Sequence, residues 1–505
     1  MNINPLTSID FYKAGHIRQY PEGTTELYSN FTPRSCALSN INYEFFDGKV
    51  VFFGIQYFIK SFLIDSWKKE FFFKDKIKVI EKYKRRMDCA LGNNIVSTDH
   101  IESLHDLGYL PLKIKALPEG SRVPIGVPVL TIVNTHKDFF WLTNYIETVM
   151  SCFLWKAITS ATTAFHYKKL LTAYAINTGS PIDFVNFQAH DFSFRGMSGL
   201  QDASLSGAAH LTSFYGTDTV PAIDLLEDYY QANVKNNVIG CSVPATEHSV
   251  MCMGEKENEI NTFKHLINNI YPEGIVSIVS DTWDFWKVIN EYMNILKENI
   301  MSRNGKVVIR PDSGDPVKII CGDSYSDKNS YEYKGAIECL WDIFGGTFTE
   351  NGYKVLDSHI GLIYGDAITF DKANLILLEL EQKGFASSNI VFGIGSYTYQ
   401  YVTRDTYGFA MKTTSGIVNG ERREIFKDPK TDNGVKKSAK GLLRVEKENG
   451  TFVLYDQQTE DQEENGELRC IFLNGQIPFY DDIDSIRNNL DRGLIEECTN
   501  LAEIL

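Results

Sequence analysis

Residues 186–219 read NFQAHDFSFRGMSGLQDASLSGAAHLTSFYGTDT, and the rest of the chain can be organised around them. The apolar run leading in, IDFVNF (182–187), predicts a buried strand, and SLSGAAHLTSF (204–214) predicts a helix of small, close-packing residues. Strand, loop and helix in that order put His190 to Gly196 on the loop leaving the strand's C-terminal end. In α/β folds that is where ligands gather. Phe192 stands beside Arg195 in this loop, a pairing suited to a flat heterocycle next to an anion.

Further along, the same unit recurs: a short β-branched run, a polar or acidic loop, a helix. The strand candidates are NNVIGC (236–241), GIVSIVS (274–280), KVVIR (306–310), HIGLIY (359–364) and NIVFGI (389–394). Glu247 and His248 come soon after the first of these. Asp281 follows the second, Pro311 and Asp312 the third, Gly365 and Asp366 the fourth, Gly395 and Ser396 the fifth. Continuous apolar strands alternating with helices imply a parallel sheet covered on both faces, and chemistry collected at one end of it favours a barrel. The barrel is expected over 181–396. Before it, residues 50–67, 71–91 and 138–177 predict helices, and 110–135 alternates like a β-hairpin. Tyr20, Tyr28 and Phe31 are expected in the core. Beyond Tyr401 the chain becomes strand-like, with Asn-Gly turns at 419, 433, 449, 465 and 474 and an acidic stretch, 456–467, expected to be solvated. Segments 1–180 and 397–505 are expected to build a second, β-containing α+β domain together.

With 505 residues, 43% hydrophobic and 13% aromatic, the chain has the composition of a globular protein too long for one ordinary core. A formal charge of −15 argues against nucleic acid as a partner, although a few focused arginines can still bind an anionic metabolite. Nine cysteines, odd in number and without a CxxC pair, are expected to be reduced thiols in a cytoplasmic protein. The start, MNINPLTSID, has neither the basic nor the apolar region of a secretion signal. The apolar stretch 139–165 is interrupted by Asn144, Glu147 and Lys156, which predicts buried helices and no membrane span.

Each candidate site has two readings. IRPDSGDP (309–316) can be a plain turn with Asp312 as a cap. Alternatively Arg310 meets phosphate, and Asp312 meets ribose hydroxyls or a developing cationic sugar. Gly365, Asp366, Gly395 and Ser396 fit a 5′-phosphate cradle at the end of late barrel strands. SVPATEHS (242–249) places Pro244 near a helix start and His248 about one turn in, either as a structural histidine or as a diphosphate contact. Asp218 either flanks a helix as a cap or faces a pyridine substituent, accepting from a carboxamide and repelling a carboxylate.

HDFSFRG and GTDTVPAI, with SIDFYKAGHIRQYPEGT, WLTNYIETVM, SVPATEHS, IRPDSGDP, Gly365-Asp366, TRD (403–405) and FKDP (426–429), occur in an order and spacing that resemble the nicotinate and nicotinamide phosphoribosyltransferase family. The resemblance implies a fold: an irregular parallel (β/α) barrel of the type II phosphoribosyltransferase kind plus an α+β domain. It implies transfer of phosphoribosyl from 5-phosphoribosyl 1-pyrophosphate to nicotinamide in NAD salvage, with Mg²⁺, stimulation by ATP, and a homodimer with shared sites. Nicotinate as the base is the nearest alternative, and a catalytically silent binding homologue is the alternative of another class. By resemblance Tyr12 stacks on the base across the dimer and Arg404 also serves the partner's pocket. Phe192, Arg195, Asp218, Ser280, Arg310, Asp312, Gly365, Asp366, Gly395 and Ser396 bind substrate. Arg195, His248 and Arg310 bind diphosphate. Glu247, His248 and Asp312 are catalytic, with His248 phosphorylated by ATP. Ser396, Ala367 and Phe194 depart from the family's more usual glycine, glycine and tyrosine.

Overall fold

The computed structural model describes residues 3–365, 368–426 and 439–505. After two 3-10 helices (Pro5–Thr7, Phe11–Arg18) comes β1 (Thr24–Thr32), then helical segments between residues 55 and 107, β2 (Leu112–Ala116), β3 (Leu130–Asn134) and the long helix α1 (Glu147–Thr178). Next come β4 (Ala189–Asp191), α2 (Leu200–His210), β5 (Gly216–Thr217), α3 (Val220–Tyr230) and α4 (His248–Met253). They are followed by β6 (Glu273–Val279), β7 (Asn304–Arg310), β8 (Ile360–Tyr364), β9 (Ile390–Ile394) and α5 (Ser396–Gln400). The last elements used below are β10 (Ala410–Val418), β11 (Glu421–Glu424), β12 (Arg469–Leu473), α6 (Ile483–Asp491) and α7 (Leu494–Ala502).

Two six-stranded sheets organise these elements. The first has the order β11-β10-β1-β3-β2-β12, antiparallel throughout, with strands drawn from both ends of the chain. The second has the order β5-β4-β9-β8-β7-β6, parallel throughout. It curls into a half-barrel whose two edges are joined by residues 241–246: Cys241 pairs with Gly216 of β5, and Ala245 pairs with Ser277 of β6. The strands' C-terminal ends therefore converge on one rim.

Between the sheets lies α1, which has neither Gly nor Pro and is buried on nearly all sides, its buried Lys156, Lys168 and Lys169 each paired with an aspartate. Its first half (Met150, Phe153, Leu154, Ile158) belongs to the core under the antiparallel sheet. Its second half (Tyr167, Leu170, Leu171, Tyr174) belongs to the barrel core. Tyr28 and Phe31 are buried as expected, whereas Tyr20 is half-buried.

Three expected features differ. IDFVNF is not a strand: behind Pro181 it turns as a short 3-10 helix (Ile182–Phe184) and an α-turn (Val185–Gln188), and the strand starts only at Ala189. Val185 is buried while Phe187 is exposed, so the run has one buried face and not two. NNVIGC forms no strand either. The carbonyls of Val238 and Ile239 are taken by Arg487 of α6, which also donates to Leu211 O at 2.8 Å and lies 4.4 Å over the Tyr215 ring. The acidic stretch is not wholly solvated: it contains a helical turn, Glu460–Glu464, from which buried Glu463 meets Lys115 of β2 at 3.0 Å and the Tyr28 hydroxyl at 3.1 Å. Three of the Asn-Gly turns (419, 449, 474) have both residues at positive φ, the geometry that hairpin turns require. The turn at 433 lies outside the described residues.

Glu119, in the turn after β2, is another tie between distant segments. Its carboxyl accepts the N–H groups of Gly54 (2.7 Å) and Gln56 (2.8 Å) and the Tyr230 hydroxyl (3.1 Å), and its own N–H donates to Asp481 (3.0 Å). Complete burial pushes this carboxyl up to about 8 despite those donors, with the Asp481 charge adding to the rise.

Candidate active site at the barrel rim

At the end of β4, Phe192 donates its N–H to Ile394 O (2.9 Å) and lays its ring over Gly365 and Gly393. A Cβ at Gly393 would overlap the ring and one at Gly365 would come within 3.0 Å, so both glycines are needed for the ring to lie there. His190 packs 4.7 Å from Phe192. Its neighbour Asp191 points inward and is structural, taking Ser193 N–H at 2.9 Å and the Thr217 hydroxyl at 3.4 Å. Arg195 is exposed and makes no hydrogen bond or ion pair with another described residue. Gly196 rests against Ser396, so the loop after β4 and the start of α5 form one wall.

Asp218 does not cap α3, whose N-cap is Thr219. Its side chain, 47% exposed, takes His190 Nε2 at 2.9 Å and the Ser242 hydroxyl at 2.6 Å, both on Oδ1. Partial burial alone would raise this carboxyl. The hydrogen bonds from His190 and Ser242, with the nearby charges of His190 and Arg310, hold it below the ordinary carboxylate range, so it is ionised at neutral pH.

Across the rim, Arg310 at the end of β7 donates to Thr246 O (2.7 Å), and its Nε lies 3.4 Å from Asp312. The next helix (Pro316–Cys321) is capped by Asp315, which takes the N–H groups of Val317 and Lys318, so Asp312 is not its cap. The Tyr364 hydroxyl bonds the carbonyls of Ser313 and Gly314, each at 3.0 Å, and fixes the loop from below.

The helix at SVPATEHS starts later than expected. Residues 242–246 are the extended closing segment, Glu247 is the N-cap of α4, and His248 is its first residue. The His248 side chain is 50% exposed, with Nδ1 3.4 Å from the Thr282 hydroxyl and Nε2 3.9 Å from Asp281. Glu247 accepts from Ser249. Asp281, left out of the expected site, lies at its centre. Its side chain is 5% exposed, Oδ2 takes Asp312 N–H (3.0 Å) and the Ser313 hydroxyl (2.6 Å), and the buried Oδ1 has no hydrogen-bond partner. Ser280, in contrast, is turned away: fully buried, its hydroxyl donates back to Ile278 O at 2.7 Å. On the preceding strand Ser277 is buried with an unsatisfied hydroxyl.

Gly365, Gly395 and Ser396 sit together where β8 and β9 end, with open space over the Gly395 Cα. Asp366, Ala367 and residues 427–429 of FKDP lie outside the described residues. Tyr12 (58% exposed) and Arg404 (paired with Asp405 at 3.1 Å) face outward, and neither meets the rim of its own chain. No cluster of three or more His, Cys, Asp or Glu side chains is placed to hold a metal among the described residues, and none of their helices is long and apolar enough to cross a membrane.

Residues 187–476 match the model of the nicotinate phosphoribosyltransferase (NAPRTase) family. This chain belongs to that family. Residues 4–114 match the model of the nicotinamide phosphoribosyltransferase N-terminal domain. A nicotinamide phosphoribosyltransferase of Acinetobacter baylyi is 61% identical over 97% of this chain and 98% of its own. Enzymes of the same name from Mycoplasma pneumoniae (34%, covering 85% and 93%) and Xanthomonas campestris (31%, covering 97% and 98%) are also similar. Among solved structures, the nicotinate-nucleotide pyrophosphorylase of Pyrococcus furiosus (TM-score 0.54, 14% identity, covering 97% and 95%) shares the fold. So does human nicotinic acid phosphoribosyltransferase (TM-score 0.53, 14%, covering 96% and 93%).

Proposed function

We infer that this family member transfers the 5-phosphoribosyl group of 5-phosphoribosyl 1-pyrophosphate to nicotinamide, giving nicotinamide mononucleotide and pyrophosphate in NAD salvage. One observation carries the choice of base: Asp218, an ionised, half-exposed carboxylate beside the His190 and Phe192 rings. It accepts from a carboxamide and repels a ring carboxylate, which disfavours nicotinate. The names of the three relatives support the same activity.

The pyridine nitrogen attacks the anomeric carbon as the bond to pyrophosphate breaks, so the protein needs no covalent nucleophile and works by position and charge. Phe192 supports the base. Arg195 and Arg310 meet diphosphate oxygens, and Asp312 faces the ribose and its developing positive charge. Gly365, Asp366, Gly395 and Ser396 cradle the 5′-phosphate. Mg²⁺ fits these residues: the buried Oδ1 of Asp281, which takes no hydrogen bond, with Asp312 next to it, offers the one or two carboxylates this ion uses beside substrate phosphates. When bound it neutralises charge on the leaving pyrophosphate.

His248, half-exposed at the start of α4 with Glu247 as its N-cap, is the diphosphate contact and the acceptor of the ATP γ-phosphoryl group. The outward-facing Tyr12 and Arg404 serve the partner's site in a cytoplasmic homodimer. A silent binding homologue would have no need to keep Arg195, Asp218, His248, Arg310 and Asp312 together.

The test is mononucleotide formation from nicotinamide and from nicotinate by the parent and Asp218→Ser. Nicotinamide use should fall and the preference move toward nicotinate by about tenfold or more, since the repulsive group is gone. An unchanged preference would remove Asp218 as the selector.

A further inference from the structure

Asp218 is held from two directions. His190 comes from β4 and Ser242 from the segment that closes the barrel, and both bonds fall on the same oxygen. Oδ2 carries no hydrogen bond among the described residues. His190 is itself fixed: it is buried, packs on Phe192, and sits so close to Gly216 that a Cβ there would come within 2.8 Å of Nδ1. A carboxylate on a short loop can otherwise swing about χ1 and turn about its broad, two-fold χ2. Two donors on one oxygen remove that freedom and aim the remaining lone pairs at one place.

We propose that Ser242 and His190 are positioning residues that set this site's preference for an uncharged carboxamide, by occupying Oδ1 and presenting Oδ2 alone to the incoming N–H₂. The proposal rests on the reading of Asp218 as the selector. Without Ser242 the carboxylate gains rotational freedom and can turn a filled oxygen toward the base. The carboxamide then loses its aligned acceptor, while the averaged repulsion of a ring carboxylate weakens. Ser242 is the better handle, because its side chain is exposed at the rim and its removal leaves no cavity, whereas His190 is packed into the wall.

The experiment measures kcat and KM for nicotinamide and nicotinate in Ser242→Ala, Ser242→Thr, Asp218→Ser and the Ser242→Ala/Asp218→Ser double variant, with thermal melting as the check on folding. Ser242→Ala should lower the nicotinamide-to-nicotinate ratio of kcat/KM about tenfold, the effect of one charge-assisted hydrogen bond, mostly through the nicotinamide KM. Ser242→Thr, which keeps the hydroxyl, should restore most of it. In the Asp218→Ser background, Ser242→Ala should change the ratio by less than about twofold, because the coupled partner is already gone. An unchanged ratio in Ser242→Ala beside a shifted one in Asp218→Ser overturns the positioning role and leaves Asp218 as selector. Equal loss with both bases marks a merely structural serine and also overturns it. An unchanged ratio in Asp218→Ser removes the selector reading and the proposal with it.

Discussion

Whether an aspartate caps a helix or serves a site is settled by its neighbours. In IRPDSGDP both Asp312 and Asp315 precede a helix, and turn chemistry does not choose between them. The structure gives the cap to Asp315, so Asp312 is left at the rim beside Arg310. GTDTV behaves alike: Thr219 occupies the cap position and Asp218 turns to His190 and Ser242. Arg310, Asp312 and Gly365 do lie at the ends of predicted strands, whereas the strands expected before His190 and before His248 do not form. Ser242 and Asp281 were missed as site residues because a serine on an extended segment or an aspartate at a strand's end has the same local signature whether it faces core or ligand. Asp281 did follow a predicted strand, and that was its one available signal. His248 was expected a turn inside a helix but begins one, which leaves its imidazole half in solvent. In His248→Ala, ATP hydrolysis and acid-labile, base-stable labelling of the protein from ATP should vanish, while nicotinamide transfer persists about tenfold slower through loss of one charge-assisted contact. Parallel loss of both activities in a well-folded variant would rule out the phosphoryl-acceptor role.

At the scale of elements, short apolar runs of nearly equal length met different fates. KVVIR, HIGLIY and NIVFGI fall on strands, and 138–177 on helices that end in α1. IDFVNF and NNVIGC are no shorter, but in any run of five or six residues a period of two cannot be told from one helical turn. What decided them was tertiary: Pro181 at one start, the Arg487 guanidinium at the other's carbonyls. No local pattern announced the burial of Glu119 either, and it has a measurable effect. Its folded carboxyl is raised to about 8 from an ordinary 4.5, so between those values the folded state holds a proton that the unfolded chain has released. Stability should therefore fall as pH rises from about 4.5 to about 8 and level off above, by up to about 1.4 kcal/mol per pH unit from this group. Thermal melting across that window should give a flatter curve for Glu119→Gln than for the parent. The variant should also carry a pH-independent loss of about 1–3 kcal/mol, because an amide N–H₂ would face a backbone N–H that needs an acceptor. Parallel curves would show that Glu119 does not titrate in this range.

Taken as a whole, the molecule turns two of its proposed site residues outward. Tyr12 and Arg404 lie on 3-10 turns at the surface, away from their own rim, which is the arrangement a shared-site dimer requires. Mixing inactive Tyr12→Ala with inactive Asp312→Ala protein should then restore about a quarter of parental activity, since half of randomly exchanged dimers carry one intact site of two. No recovery after demonstrated subunit exchange would make each site self-contained. The antiparallel sheet has a different consequence, one for synthesis. Its central strand β1 binds β10 through residues such as Ser29 and Thr413, 384 positions apart. At about 5–20 residues per second, a ribosome takes tens of seconds to supply the second partner after the first has emerged. Throughout that interval β1, whose side chains are mostly destined for the interior, has at least one open edge able to pair with other nascent chains. The demand on cellular chaperones should therefore begin with the first strand and end only when β10 leaves the ribosome.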